Sequence, residues 1–172
     1  MKVDKPLILF AARRVFFASH SMNGPSRMIF LIVHSFVEKA VVSGIVPEYV
    51  DILKNFATSE YAEDSIIRSL SENNRTVVFY GDETWTKLFP HSFARSVPVA
   101  SFILSDYTEV DQIVTRNMVK ELALNDWNVM ILHYLGLDHI GHTYGSNSPL
   151  ISTKLSEMDQ IIERLYMALS AV

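Results

Sequence analysis

The 172-residue chain contains no cysteine. No disulfide braces the fold and no thiolate can bind a metal, so any metal site must be made of carboxylates and imidazoles. Long hydrophobic runs are also missing. Met28–Val33 is short, and the apolar start from Pro6 to Phe17 is broken by Arg13 and Arg14. A membrane-spanning helix needs about 18 or more apolar residues in succession, and a signal peptide needs an unbroken apolar core. No targeting or transmembrane segment is therefore evident. Basic residues are in the minority, 15 against 19 acidic, for a net charge of -4. That balance argues against a nucleic-acid partner. There is no internal repeat, no low-complexity tract, no phosphate-binding glycine loop and no G-x-S-x-G turn.

What is present is ordinary globular material, 49% hydrophobic and 20% charged, enough for a core and too apolar for disorder. Strand and helix patterns alternate, which predicts an α/β fold with a mostly parallel sheet and flanking helices. Pro6–Phe10 and Met28–Val33 read as short buried segments, with a loop between Ser19 and Arg27. Helical patterns follow at Phe36–Ser43, with Gly44 behind it, and at Glu48–Phe56. A third runs over Glu60–Glu72, with Ser59 as its cap, Ile66, Ile67 and Leu70 inward, and Asn73-Asn74 as its end. Arg75–Tyr80 is β-branched and aromatic and predicts a strand. Val99–Leu104 predicts another, followed by a helix over Asp111–Leu124 in which Thr108 and Asp111 suit a capping box. Trp127–Tyr134 predicts a fourth strand. The last helix runs from Leu150 to Ala171, with Ile151, Leu155, Met158, Ile161, Ile162, Leu165 and Leu169 as its inward stripe and Asp159 among them.

Chemistry concentrates where these strands end. Leu137–Gly145 follows the last strand and reads as a loop holding Asp138, His139 and His142. Asp138 and His142 are four positions apart, and a carboxylate with an imidazole is a normal ligand pair for zinc or a similar ion. Gly141 and Gly145 would let the backbone fold tightly enough to aim both at one ion. Asp82, Glu83 and Trp85 follow the Arg75–Tyr80 strand, and Asp106 follows the Val99–Leu104 strand. These residues have two readings, as helix caps and packed aromatics or as the lining of a substrate cleft. In open α/β sheets, ligands bind at the carboxyl ends of the strands. His34 and Ser35 have a similar pair of readings, a strand end bearing a nucleophile or an ordinary loop.

Three ordered stretches carry a resemblance: VVFYGDETWTKLFP from Val77, SDYTEVD from Ser105 to Asp111, and HYLGLDHIGHTYGSNSPLISTKLSEMD from His133 to Asp159. Residues 41–172 resemble the lumenal catalytic domain of the GPI ethanolamine phosphate transferases, a family with an alkaline phosphatase-like fold. The resemblance implies transfer of ethanolamine phosphate from phosphatidylethanolamine to a mannose of the GPI anchor precursor, at the endoplasmic reticulum membrane with the domain in the lumen. It implies two divalent ions, zinc by preference, and a Thr or Ser nucleophile that forms a phospho-enzyme. It also leaves room for a membrane-spanning partner subunit. Carried across residue by residue, it makes Asp138 and His142 two ligands of one metal and sets the segment with Asp82, Glu83 and Trp85 loosely on the substrate side of the cleft; Asp106 and His139 remain cleft candidates by their positions.

The family's nucleophile, laid on this chain, falls near Ile32, a side chain with nothing to attack phosphorus. A later Asp-His-Gly ligand segment would fall past Val172. The expectation is a partial phosphotransferase domain over 36–172, preceded by a divergent segment over 1–35, with little transferase activity of its own. The alternatives are a pseudo-enzyme or interaction domain that kept the fold, and another metal-dependent phosphodiesterase of the same superfamily.

Overall fold

Strand β6 (Val129–His133) is buried along its whole length and sits inside the sheet, as its unbroken apolar run requires. In the computed structural model it pairs in parallel with β3 (Arg27–Ile32) on one side and β4 (Val77–Asp82) on the other. The structure describes residues 7–11, 15–20, 27–32, 65–100, 107–124 and 126–170. Strands β1 (Leu7–Ala11), β2 (Val15–His20) and β5 (Arg95–Val99) complete a six-stranded sheet ordered β1-β2-β3-β6-β4-β5. β3, β6, β4 and β5 run parallel, while β1 and β2 add antiparallel at the β3 side. This is the predicted α/β class with a mostly parallel sheet.

Period-two alternation divides the core between two faces of the sheet. Ile29, Leu31, Val78, Tyr80, Met130 and Leu132 face one side. There they meet α3 (Glu109–Ala123) through Val110, Val114 and Met118, and α5 (Pro149–Ser170) through Met158, Ile161, Leu165 and Leu169. Ile32, Val77, Phe79, Val129 and Ile131 face the other side, against Ile67 of α1 (Ile66–Glu72) and Trp85 and Leu88 of α2 (Thr84–Leu88). Helix α4 (Gly136–Tyr144) connects β6 to α5. Among the described residues, no helix is long and apolar enough to cross a membrane.

Several sequence expectations are corrected. The predicted loop over 19–27 loses both ends: Ser19 and His20 belong to β2 and Arg27 opens β3. α1 starts at Ile66, where Ser65 is extended and its hydroxyl accepts the Arg68 N–H; Ser59 and residues 60–64 of the predicted helix lie outside the described residues. Ile66 is exposed and Ile67 is buried. The helix does end at Glu72, and Asn74 takes a left-handed φ of 53°. Of the third predicted strand, over Val99–Leu104, residues 101–104 lie outside the described residues, and a strand that was not predicted lies at Arg95–Val99. It is an edge strand with three exposed residues in succession, so it needs no apolar run and tolerates Pro98, which has no N–H to donate. On α5, Leu155 and Asp159 are exposed and Lys154 takes the inward place. The helices expected over 36–43 and 48–56, together with His34, Ser35 and Asp106, lie outside the described residues.

Candidate metal site

The carboxyl ends of the parallel strands bring Ile32, His133, Asp82 and Val99 to one edge of the sheet, with Ile32 opposite His133 and Asp82 opposite Val99. Two glycines allow the elements to close there. Gly81 has φ +142°, and a Cβ on it would lie 2.5 Å from the His133 carbonyl oxygen and 2.7 Å from the His133 Cβ. Only glycine lets β4 approach the end of β6 this closely. At Gly136 a Cβ would lie 2.4 Å from Asp111 Oδ2 and 2.5 Å from the Tyr107 carbonyl oxygen.

The motif expected to be a loop is a helix. Residues 136–144 form α4, and Gly145, with φ +79°, is its cap. Gly141 lies within the helix, and a Cβ there would meet no atom within 4 Å, so it is not needed for a tight turn. The helical repeat itself puts residues i and i+4 on one face. Asp138 and His142 share that face, with Asp138 Oδ1 3.6 Å from His142 Nε2; the Asp138 side chain is only 6% exposed and that of His142 is 52% exposed.

This spacing can be tested against a bound ion. Zinc–oxygen and zinc–nitrogen bonds near 2.1 Å at a tetrahedral angle separate two ligand atoms by about 3.4 Å. The observed pair is within a small side-chain adjustment of that separation, so it fits two corners of one coordination sphere. Among the described residues, no group of three or more His, Asp or Glu converges on a point. His139 is buried and lies one residue past Asp138 on the same helix.

The other predicted residues lie on β4 and α2. Asp82 is buried, and its Oδ1 accepts the Thr84 N–H and the Thr84 hydroxyl, each at 2.8 Å. It therefore does the work of a helix cap. Glu83 holds Lys87 at 2.7 Å along one face of α2. Trp85 is completely buried, stacks on Phe79 with centroids 5.5 Å apart, and donates its indole N–H to His133 Nδ1 at 3.2 Å. An acceptor at Nδ1 assigns the proton of the neutral His133 ring to Nε2. The structure thus couples Trp85 to the end of β6, and it joins Asp138 to His142 on α4.

Sequence reasoning missed Asp111, Lys154 and His133. Asp111 is completely buried. Its Oδ1 accepts the N–H groups of Leu135 at 2.9 Å and Gly136 at 3.1 Å, and its Oδ2 lies 3.1 Å from Lys154 Nζ. Burial pushes the Asp111 carboxyl above its usual range, against the pull of Lys154 and the two backbone donors. Burial also disfavours the charge on Lys154, but Glu157 at 2.8 Å and Asp111 outweigh it and keep the ammonium form. The expected capping box does not form, since Thr108 makes no side-chain cap bond. The available signals were a strand ending in histidine directly before the motif, and a lysine in phase with Met158, Ile161 and Leu165.

The chain is similar in sequence to several known proteins. The human protein "GPI ethanolamine phosphate transferase 2, catalytic subunit" is 50% identical over 133 residues, covering 77% of this chain and 14% of the relative. The "GPI ethanolamine phosphate transferase 2" of Schizosaccharomyces pombe is 47% identical over 136 residues, covering 74% and 18%. The human "GPI ethanolamine phosphate transferase 3, catalytic subunit" is 39% identical over 127 residues, covering 74% and 12%. The chain thus spans less than a fifth of the length of these curated relatives. No solved structure matches it. A family model described as type I phosphodiesterase / nucleotide pyrophosphatase, a generally metal-dependent group, matches residues 34–171, and the chain belongs to that family.

Proposed function

We propose that this chain is part of the catalytic domain of a GPI ethanolamine phosphate transferase, and that Asp138 and His142 are two ligands of one divalent metal ion in its site. The observation that carries the reading is the Asp138–His142 pair, 3.6 Å apart on one face of a helix that opens directly after the central strand. The high identity to proteins named for that transfer supports it. A zinc ion held by such a pair would supply Lewis acidity toward charge on phosphoryl oxygens and toward an attacking hydroxyl. The complete site would hold two ions, with phosphatidylethanolamine and a GPI mannose as donor and acceptor at the lumenal face of the endoplasmic reticulum membrane.

The chain's own residues have narrower roles. Asp138 and His142 donate ligand atoms. Trp85 and Asp82 fix the ends of β6 and β4, so that the sheet edge beneath the substrate is rigid. Glu83, Asp106 and His139 are proposed to border the substrate.

A second reading is a pseudo-enzyme that kept the fold. One observation favours it: Ile32, at the place of the expected nucleophile, is a completely buried hydrocarbon beside the end of β6. The discriminating experiment expresses the longest protein that includes this segment in cells lacking GPI ethanolamine phosphate transferase 2, and follows the GPI intermediates by mass. Restored addition of ethanolamine phosphate supports the transferase. A correctly localised, folded protein that restores none supports the pseudo-enzyme, and hydrolysis of soluble phosphodiesters without GPI transfer supports a different phosphodiesterase.

A further inference from the structure

The start of α4 lacks a cap of its own. Its N-cap residue, Leu135, has no side-chain acceptor to offer. The first N–H groups of a helix need acceptors when they are buried. Here Leu135 and Gly136 are both buried, and their N–H groups go to one oxygen of Asp111, which lies on a different helix. The second oxygen of that carboxylate goes to Lys154, on a third helix, and Lys154 is fixed in turn by Glu157. Three helices therefore meet at one carboxylate. Gly136 is the residue whose missing side chain makes room for it, with Lys154 Cε also within 2.9 Å of where a Cβ would sit. A carboxylate at a helix start is also favoured by the helix dipole. A buried ion pair is weak evidence for net stability, because desolvation offsets much of the attraction. Its value here is positional. Asp138 is only two residues beyond Gly136, so any shift of the helix start moves the Asp138 carboxylate with it.

We propose that Asp111 and Lys154 are positioning residues: together they fix the start of α4 so that Asp138 and His142 present their ligand atoms to the same ion. The proposal rests on the metal reading above only in its last clause, and the two are tested separately. Isotope-labelled chain is compared with Asp111→Ala, Asp111→Asn and Lys154→Met. The first readout is amide hydrogen exchange in α4 relative to β4 and β6. The second is a zinc titration followed at the His142 ring, with Asp138→Asn as the control.

For Asp111→Ala the expected result is exchange at Leu135–Ile140 accelerated at least ten-fold more than in β6, with zinc affinity at His142 weakened about ten-fold. Asp111→Asn, which retains an acceptor for the two N–H groups, should recover much of the α4 protection, and it carries the test if the alanine variant does not fold. Lys154→Met should loosen α4 by less than Asp111→Ala. Equal acceleration in α4 and β6 for every variant overturns the positioning role, because that pattern is a uniform loss of stability. Unchanged zinc affinity at His142 with a loosened α4 overturns its link to the ligands. Zinc binding that persists unchanged in Asp138→Asn refutes the ligand reading and leaves the exchange comparison to decide the clamp.

Discussion

Replacing Gly81 with alanine tests the close approach on which the sheet edge depends. The backbone there has φ +142°, and the added Cβ would lie 2.5 Å from the His133 carbonyl oxygen and 2.7 Å from its Cβ. Neither neighbour is the flexible end of a side chain. The carbonyl belongs to the central strand, and the His133 ring is held by the Trp85 indole. Holding a non-glycine residue in that conformation costs about 1–3 kcal/mol, and forcing an extra carbon into a packed site costs about 1–3 kcal/mol more. The expected loss is about 3–5 kcal/mol, against a total of roughly 5–15 kcal/mol for a domain. With a urea slope near 2 kcal/mol/M, the midpoint should fall by about 2 M. Fluorescence of the two buried tryptophans, Trp85 and Trp127, follows the transition. A loss below about 1 kcal/mol with an unchanged slope would refute the argument that β4 and β6 can close only over a glycine.

Other outcomes follow from the same contacts. Trp85→Phe keeps the stacking on Phe79 but removes the donor to His133 Nδ1; it should cost about 1–3 kcal/mol, the range for a lost buried hydrogen bond, whereas Trp85→Ala should cost about 3–5 kcal/mol, both read by urea denaturation. Glu121 is buried and accepts from Arg95 Nε and Nη2, at 2.8 and 2.7 Å, so the guanidinium holds its carboxyl below the usual value of 4.5. The folded form therefore binds that proton less readily than the unfolded one. The contribution is complete above about pH 4.5 and is lost as pH falls through the depressed folded value, so thermal scans should show Glu121→Gln closing its gap to the parent chain in acid. Zinc should barely stabilise this chain, since two ligands make a weak site: with zinc at its dissociation constant the gain is about 0.4 kcal/mol, on the order of 1 °C in melting temperature. A rise many times larger would mean that further ligands converge on the ion.

The sequence made the interior legible because burial there follows a period. β4 and β6 are continuous apolar runs, and Met158, Ile161, Leu165 and Leu169 mark one face of α5. β5 was missed because an exposed edge strand carries no such signal. α4 was read as a loop because its two glycines suggested a tight turn, whereas the helical repeat already brings Asp138 and His142 together. Lys154 lies on the inward stripe of α5, but a lysine there is expected to point to solvent unless its partner is known. That partner, Asp111, is 43 residues away in sequence, at a position where capping gave a sufficient local explanation. Local patterns reveal which residues are buried. They do not reveal which distant charges meet.

The central claim, that Asp138 and His142 serve as metal ligands in a phosphotransfer site, is tested most directly in the longest protein that carries this segment. Asp138→Asn and His142→Ala are assayed there for ethanolamine phosphate transfer to GPI intermediates, with circular dichroism as the check on folding. The account predicts transfer reduced to background in both variants, with the fold and melting temperature nearly unchanged. Transfer at the parental rate in either variant, with the protein folded, would contradict it.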